Sequence, residues 1–210
     1  TMVESDATRP ATPGLTAFIL AGGRGSRMGG RDKGLLTFKG RPLIEHVLHA
    51  LAPQVDGIVI NANRYLDSYA AFGYPVVADT RPGRFGPLAG FITAMELSPT
   101  HRFVIVPCDG PYLPPDLVQG LQQAAGESPS GIAMAHDGNH AQPVYALLHR
   151  GLMPSLEHCL EAGHGKALRW LRDEGAAVAH FPGTVFRNIN TPNDLLTATP
   201  DTTARRQRSP

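Results

Sequence analysis

The segment AFILAGGRGSRMGGRDKGLLTFKG, residues 17–40, passes from an apolar run into a loop rich in glycine and positive charge. Its first five residues are apolar or small, which is typical of a buried strand. The whole segment contains seven glycines, three arginines and two lysines. Successive glycines let backbone N–H groups approach an anion closely, and the arginines and lysines add positive charge. The segment therefore predicts a strand followed by a phosphate-binding loop.

The loop matches neither of two common phosphate-binding motifs. A Walker A motif requires Ser or Thr after its lysine, whereas Lys33 is followed by Gly34. The dinucleotide motif G-x-G-x-x-G, started at Gly23, fails at Met28. Arg27 can still bind phosphate through two parallel hydrogen bonds, and Lys33 supplies a point charge. Because the Ser or Thr that holds Mg²⁺ in a Walker loop is missing, we expect the metal ligand to come from elsewhere in the chain.

Outward from the loop, short apolar runs alternate with helical patterns. Strands are predicted at residues 16–22, 55–63, 75–79, 101–109, 130–138, 140–149, 177–183 and 184–190. Helices are predicted at residues 41–54, 67–73, 86–98, 114–125, 152–163, 166–175 and 191–198. This alternation predicts an α/β fold with a doubly wound, mostly parallel, Rossmann-like sheet. In such a sheet ligands bind along the edge formed by the carboxyl ends of the strands.

Polar side chains follow three of the predicted apolar runs. Asn61 and Asn63 come after the run at residues 55–60, Asp79 comes after the next strand, and Asp109 after a fourth. We expect all of them at the edge that holds the loop. A carboxylate beside a phosphate is repelled unless a cation lies between them, and Mg²⁺ prefers oxygen ligands. Asp109 is therefore a predicted Mg²⁺ ligand, although any one of these residues alone is also typical of a turn or a helix cap.

Length and composition predict one soluble domain. The chain has 210 residues, of which 42% are hydrophobic, and a net charge of +1 at pH 7. We expect a single domain at residues 15–198 and disordered tails at residues 1–14 and 199–210. The near-neutral charge argues against a nucleic-acid partner, and no apolar run approaches the ~20 residues of a membrane span. Two isolated cysteines favour a reducing cytoplasm.

Several motifs occur in a characteristic order between residues 15 and 197: LAGGRGSRMGGRDKGLL, IVINANR, PVVADT, GPLAG, VPCDGPYLP and FRNINTP. Together they resemble the molybdenum cofactor guanylyltransferases, enzymes of the sugar-nucleotidyltransferase-like superfamily. The resemblance implies transfer of GMP from GTP to the terminal phosphate of molybdopterin, with or without its molybdenum, and release of pyrophosphate. It implies GTP and molybdopterin as partners, together with proteins that deliver and receive the cofactor. Such chemistry depends on positioning and charge neutralisation, with Mg²⁺ on Asp109 between the triphosphate and the incoming phosphate.

The resemblance also assigns site residues and divides the domain into a nucleotide-binding N-terminal part and a later pterin-substrate side. The implied nucleotide-binding residues are Leu20, Ala21, Gly22, Gly23, Lys33, Asn61, Asp79, Gly86 and Asp109. The implied catalytic residues are Asp109, Lys33 and Arg27, with Asp109 as the metal ligand. Asn188 and Asn190 are implied to bind the pterin substrate, and residues 140–147 to line its side of the site.

Two other functions stay open on the residues alone. One is a related nucleotidyltransferase that uses CTP or a sugar phosphate, although related CTP enzymes tend to read L-A-A-G where this chain has Leu20-Ala21-Gly22-Gly23. The other is a non-catalytic nucleotide-binding adaptor, which would bind GTP without releasing pyrophosphate. The nine histidines form no zinc-binding pattern.

Overall fold

The computed structural model describes residues 12–21, 32–81, 83, 85–182, 186 and 188–189. The strands are β1 (Thr12–Leu20), β2 (Thr37–Phe38), β3 (Arg41–Pro42), β4 (Gly57–Asn61), β5 (Val76–Val77), β6 (Thr100–Pro107), β7 (Ala133–His136), β8 (Ala141–His149) and β9 (Ala177–His180). The α-helices are α1 (Leu43–Leu51), α2 (Leu66–Ala70), α3 (Pro87–Leu97), α4 (Leu117–Gly126), α5 (Met153–Glu161) and α6 (Ala167–Asp173). None of the helices in these ranges combines the length and the hydrophobicity that a membrane span requires.

A seven-stranded sheet forms the centre of the described part of the chain, in the order β5-β4-β1-β6-β8-β7-β9. The neighbours from β5 to β6 pair in parallel. Strand β8 runs antiparallel to both β6 and β7, and β9 is parallel to β7. The predicted α/β fold with a mostly parallel sheet is confirmed.

Successive residues of β1 pack on opposite faces of the sheet. Leu15, Ala17 and Ile19 belong to a core cluster that includes side chains of α1 and α4. Phe18 belongs to a second cluster, with side chains of α3, α5 and α6. Because both faces are covered by helices, residues 15–19 of the strand are buried, and residues 17–20 form a continuous apolar run in the sequence.

Several elements differ in length from the predictions. Helix α1 starts after residues 41–42, because these pair with Thr37–Phe38 in a short antiparallel ladder. It ends before Ala52–Gln54, which form a 3-10 turn containing Pro53. Strand β5 has two residues where five were predicted. The helix predicted at residues 191–198, and most of the strand predicted at residues 184–190, lie outside the described residues.

The ends of three strands lie level at one edge of the sheet. Leu20, the last residue of β1, pairs with Asn61 on one side and with Pro107 on the other. Two backbone hydrogen bonds continue the ladder: the Ala21 N–H donates to the Asn61 carbonyl at 2.8 Å, and the Cys108 N–H donates to the Leu20 carbonyl at 3.1 Å. The segments that leave these strands therefore begin side by side, as expected for a ligand-binding edge.

Candidate active site

Strand β6 leads to Asp109 at this edge, where its side chain meets Lys33. The Lys33 Nζ lies 3.3 Å from Asp109 Oδ2, although the residues are 76 positions apart. Asp109 is 8% exposed. Burial raises the pKa of the Asp109 carboxyl above its usual value, and the Lys33 ammonium opposes that rise. The fold thus places a buried carboxyl and an ammonium side by side at the edge where α/β sheets bind ligands.

The thiol next to this pair is not an activated nucleophile. Cys108 is buried, and burial raises the pKa of its thiol well above the usual value, with the nearby carboxyls of Asp109 and Asp32 adding to the rise. A thiol that stays protonated at neutral pH neither attacks nor acts as a base. This agrees with its position at the end of an apolar strand, where a cysteine serves as a small hydrophobic side chain.

A network of amides surrounds Asp79, beyond the end of β5. Asn61 Nδ2 donates to Asp79 Oδ1 at 3.0 Å, and Asn63 Nδ2 donates to Asp79 Oδ2 at 2.7 Å. In return the Asp79 N–H donates to Asn63 Oδ1 at 2.8 Å. Asn61 is 2% exposed and also donates to the Val77 carbonyl at 3.3 Å. The predicted residues Asn61 and Asp79 are thus in contact and hold each other in place.

The chain after Asp79 is anchored on two helices. The Thr80 N–H donates to Thr93 Oγ1 of α3 at 3.1 Å. Arg81 Nη2 lies 2.7 Å from a carboxylate oxygen of Glu96, on α3, and 2.7 Å from one of Glu157, on α5. These contacts fix the position of the Asp79 segment relative to the sheet.

Two glycines allow α3 to approach the strand ends. Gly86 has φ 55° and ψ −136°, a backbone conformation that favours glycine, and it directly precedes the helix at Pro87. A Cβ at Gly90 would overlap the Leu20 side chain and would lie 2.9 Å from Asn61 Oδ1. Sequence reasoning named Gly86 and missed Gly90, whose only signal was its place in the GPLAG motif.

Asn188 approaches the same edge from the later part of the chain. The Ile189 N–H donates to the Asp109 carbonyl at 2.9 Å, and the Tyr145 hydroxyl donates to Asn188 Oδ1 at 3.2 Å. A Cβ at Gly110 would overlap the Tyr145 hydroxyl. Tyr145 is 1% exposed, and burial, followed by the charges of nearby acidic groups, raises the pKa of its phenol. Tyr145 was missed, because a tyrosine in an apolar strand is typical of a core residue.

The predicted site residues fall into two groups. Those brought together at the carboxyl edge are Leu20, Ala21, Lys33, Asn61, Asp79, Asp109 and Asn188, with Gly86 at the start of the adjoining helix. Those outside the described residues are Gly22, Gly23, Arg27 and Asn190. Residues 141–147 form most of β8, and His140 ends the bend that precedes it. His140 is exposed, and its N–H donates to Asp137 Oδ1 at 2.7 Å.

The donor set at the edge is suited to a metal that is shared with a substrate. Among the described residues, no three His, Cys, Asp or Glu side chains come together as a complete metal cage. Mg²⁺ commonly keeps several waters and binds through one or two carboxylates plus substrate phosphates. The buried carboxyl of Asp109 fits that mode of binding.

Comparison with known proteins gives matches over most of the chain. Residues 17–178 match the model of the MobA-like NTP transferase domain. A molybdenum cofactor guanylyltransferase of Shewanella loihica is 43% identical over 183 residues, covering 86% of this chain and 93% of the relative. One of Acidovorax ebreus is 45% identical over 199 residues, covering 88% of this chain and 94% of the relative.

A solved structure shows the same fold. The molybdopterin-guanine dinucleotide biosynthesis protein A of Archaeoglobus fulgidus aligns with a TM-score of 0.68 over 87% of this chain and 96% of its own, at 23% identity. At that identity the likeness supports the fold alone. The family model covers Lys33, Asp79 and Asp109 of the candidate site. By these matches, the chain belongs to the MobA-like NTP transferase family.

Proposed function

We propose that this chain is a molybdenum cofactor guanylyltransferase, which transfers GMP from GTP to the terminal phosphate of molybdopterin and releases pyrophosphate. Relatives at 43% and 45% identity carry that name. The observation that carries the proposal is the contact between Lys33 and Asp109 at the carboxyl end of β6. It brings together the lysine of the predicted phosphate loop and the carboxyl of the predicted metal ligand.

The proposed reaction needs no general base. A phosphate oxygen of molybdopterin attacks the α-phosphorus of GTP, the bond to the bridging oxygen breaks, and pyrophosphate leaves with the electron pair. The attacking phosphate is already an anion at neutral pH, so no proton has to be removed first. This agrees with the neighbouring groups, because burial keeps the Cys108 thiol and the Tyr145 phenol protonated. Catalysis then rests on positioning and charge stabilisation.

Lys33 and Asp109 have distinct proposed roles. The Lys33 ammonium contacts the triphosphate and stabilises the negative charge that grows on the departing pyrophosphate. Asp109 would hold Mg²⁺, which when bound supplies further charge neutralisation at the phosphates. The ammonium 3.3 Å away also favours the charged form of the Asp109 carboxyl, against the effect of burial. Arg27 is proposed as a second phosphate contact.

The other edge residues are proposed to orient the two substrates. Asn61 and Asp79 present hydrogen-bonding groups to the nucleoside, with Leu20, Ala21 and Gly86 close to it. Asn188 and Asn190 contact the pterin substrate; support for the first is its position beside the Asp109 backbone. We further infer that the reaction takes place in the cytoplasm, and that other proteins deliver molybdopterin and receive the product. The free thiols of Cys108 and Cys159 are consistent with a reducing compartment.

One experiment separates this function from its alternatives. The full chain is incubated with molybdopterin, Mg²⁺ and either GTP or CTP, and both the dinucleotide product and pyrophosphate are measured. We expect one pyrophosphate per guanine dinucleotide, with kcat/KM for GTP at least about tenfold above that for CTP, a difference of ~1.4 kcal/mol. A preference for CTP would indicate the cytidylyl reaction, and GTP binding without pyrophosphate release would indicate an adaptor. Either result would reject the proposal.

A further inference from the structure

Lys33 sits on an element too short to fix its position alone. The 3-10 helix Lys33–Leu35 has three residues, and its internal support is limited to single-turn bonds. The Leu35 N–H donates to the Asp32 carbonyl at 3.2 Å, and the Leu36 N–H donates to the Lys33 carbonyl at 3.1 Å. Contacts from elsewhere in the fold must therefore hold this turn against the end of β6.

The side chain of Asp32 provides the first of these contacts. Asp32 is 5% exposed and precedes the turn as its N-cap. Its Oδ1 accepts the Gly34 N–H at 3.3 Å and also accepts the hydroxyl of Tyr69, 37 positions later in the chain. A buried carboxyl is costly unless it is hydrogen-bonded, so these two donors bind the turn firmly to Tyr69.

Tyr69 is itself a fully buried partner. It lies on α2, has 0% exposure, and packs in the same core cluster as Cys108 and β1 side chains. Burial is the main cause that raises the pKa of its phenol, with Cys108 and Asp32 adding to the rise. The phenol thus stays protonated and remains a donor to Asp32.

The absent side chain of Gly34 lets the turn reach this position. A Cβ at Gly34 would lie 2.6 Å from the Tyr69 hydroxyl and 3.2 Å from Cys108 Sγ. Cys108 directly precedes Asp109, so the close approach at Gly34 places Lys33 beside Asp109. The same turn that Tyr69 holds is therefore the one that forms the Lys33–Asp109 contact.

We propose that Asp32 and Tyr69 form a positioning pair, which holds Lys33 in register with Asp109 and couples α2 to the phosphate side of the site. Helix α2 follows strand β4, which ends at Asn61, so the pair links a proposed nucleoside contact to the proposed phosphate contact. The inference rests on the proposed role of Lys33. Neither residue touches a reacting atom; both act through the lysine.

A double-mutant cycle tests this coupling. Tyr69→Phe, which removes only the hydroxyl, is measured alone and combined with Lys33→Ala, using GTP, Mg²⁺ and molybdopterin. With Lys33 present, we expect kcat to fall about tenfold with KM for GTP changed less than about twofold, because a misplaced charge weakens transition-state stabilisation more than binding. In the Lys33→Ala background Tyr69→Phe should change kcat less than about twofold, since the group through which it acts is gone.

The matched control is Tyr74→Phe, a half-buried tyrosine packed on the same core cluster, which should leave kcat unchanged. An equal loss from Tyr69→Phe in both backgrounds, or no loss with Lys33 present, would overturn the inference. If Lys33→Ala alone left kcat and KM unchanged, the proposed role of Lys33 would fail instead, and the two failures are therefore distinguishable.

A second pair of variants serves if Tyr69→Phe lowers the folded fraction. Asp32→Asn retains an oxygen that accepts both the Gly34 N–H and the Tyr69 hydroxyl, whereas Asp32→Ala removes it. Both variants are compared at matched folded fraction, judged by circular dichroism. We expect Asp32→Asn to keep a kcat at least about threefold above that of Asp32→Ala. Equal values of kcat for the two would show that the hydrogen bonds do not position the lysine.

Discussion

At the scale of single residues, the fold buries a carboxyl whose charged form is thereby destabilised. Asp109 is buried beside a protonated thiol, and burial raises the pKa of its carboxyl even with Lys33 at 3.3 Å. A group whose pKa is raised on folding makes the folded state bind protons more tightly than the unfolded state. It therefore favours folding at low pH and loses that contribution as the pH rises through the raised pKa. The carboxyl is retained at a cost to stability, as expected of a functional group.

Asp109→Asn should separate activity from stability. The amide cannot bind a cation as a carboxylate does, so we expect kcat to fall at least about 100-fold. Because the variant no longer buries a charge, its melting temperature at pH 7 should equal or exceed that of the parent by about 2–4 °C. The difference in melting temperature should narrow as the pH is lowered towards the raised pKa of Asp109, where the carboxyl of the parent becomes neutral as well. Thermal melts at several pH values test the direction of this difference in melting temperature. If Asp109→Asn retained the parental kcat with Mg²⁺, Asp109 would not be the metal ligand.

Lys33→Ala should cost about 100- to 1000-fold in kcat/KM for GTP, the range found when one charge-stabilising group is removed from a transition state. Steady-state kinetics with pyrophosphate detection measures the loss. Lys39→Ala is the matched control, because Lys39 is an exposed lysine of the same region that contacts the rings of Phe38 and Tyr112. Similar losses in the two variants would point to a general effect of positive charge and would contradict a specific contact by Lys33.

At the scale of elements, the site depends on how closely α3 and the 3-10 turn approach the strand ends. Gly90 lets α3 lie over Leu20 and Asn61, and Gly34 lets the turn lie against Cys108. Neither glycine has a left-handed backbone that would by itself favour glycine. At each position a larger side chain would collide with neighbouring atoms. The positions of helices relative to strand ends are therefore part of the site, although these glycines present no functional group of their own.

Gly90→Ala should weaken both the fold and the site. The added methyl group would collide with Leu20 and crowd the Asn61 amide, so we expect a loss of about 1–3 kcal/mol in the free energy of unfolding and a higher KM for GTP. Urea unfolding and steady-state kinetics measure the two effects. The control is Gly126→Ala at the end of α4, where an added Cβ meets nothing within 4 Å; it should be neutral or stabilise by up to about 1 kcal/mol. Equal effects of the two substitutions would contradict the close approach of α3.

The sequence predicted the elements better than the contacts between them. Strands β1, β4 and β6 were recognisable because burial on both faces makes them continuous apolar runs, and Asn61 and Asp109 because polar residues stand directly at their ends. Strand β5 was predicted too long, since its pairing covers only Val76–Val77 and the chain then turns towards α3. Element boundaries depend on such local pairing, which apolar patterning does not reveal.

The missed site residues share one physical cause. Tyr69 contacts Asp32, 37 positions away, and Tyr145 contacts Asn188, 43 positions away. Gly90 leaves space for Asn61 and Leu20, which are 29 and 70 positions away. These partners become neighbours only when the sheet is assembled. In sequence a tyrosine within an apolar pattern predicts only a core residue, and a glycine within a helix only a weak position. Long-range contacts alone distinguish them from ordinary core residues.

At the scale of the whole molecule, the topology explains why Lys33 and Asp109 come into contact although they are 76 positions apart in the chain. Strand β1 lies between β4 and β6, and all three run parallel, so their ends meet at one edge. Strand β8 reverses direction, so the chain around residues 140–141 begins at that same edge beyond β6. The carboxyl end of β4 and the start of β8 therefore flank Asp109, where the proposed reaction requires a nucleotide and a second substrate.

The most direct test of the account is the fate of the α-phosphate. The full chain is incubated with Mg²⁺, molybdopterin and GTP labelled with ³²P at the α or the γ position. We predict that the α label appears in the guanine dinucleotide and the γ label in pyrophosphate, and that Asp109→Asn and Lys33→Ala suppress both transfers together. Release of the γ label as orthophosphate, or parental transfer of the α label by both variants, would contradict guanylyl transfer at the Lys33–Asp109 site.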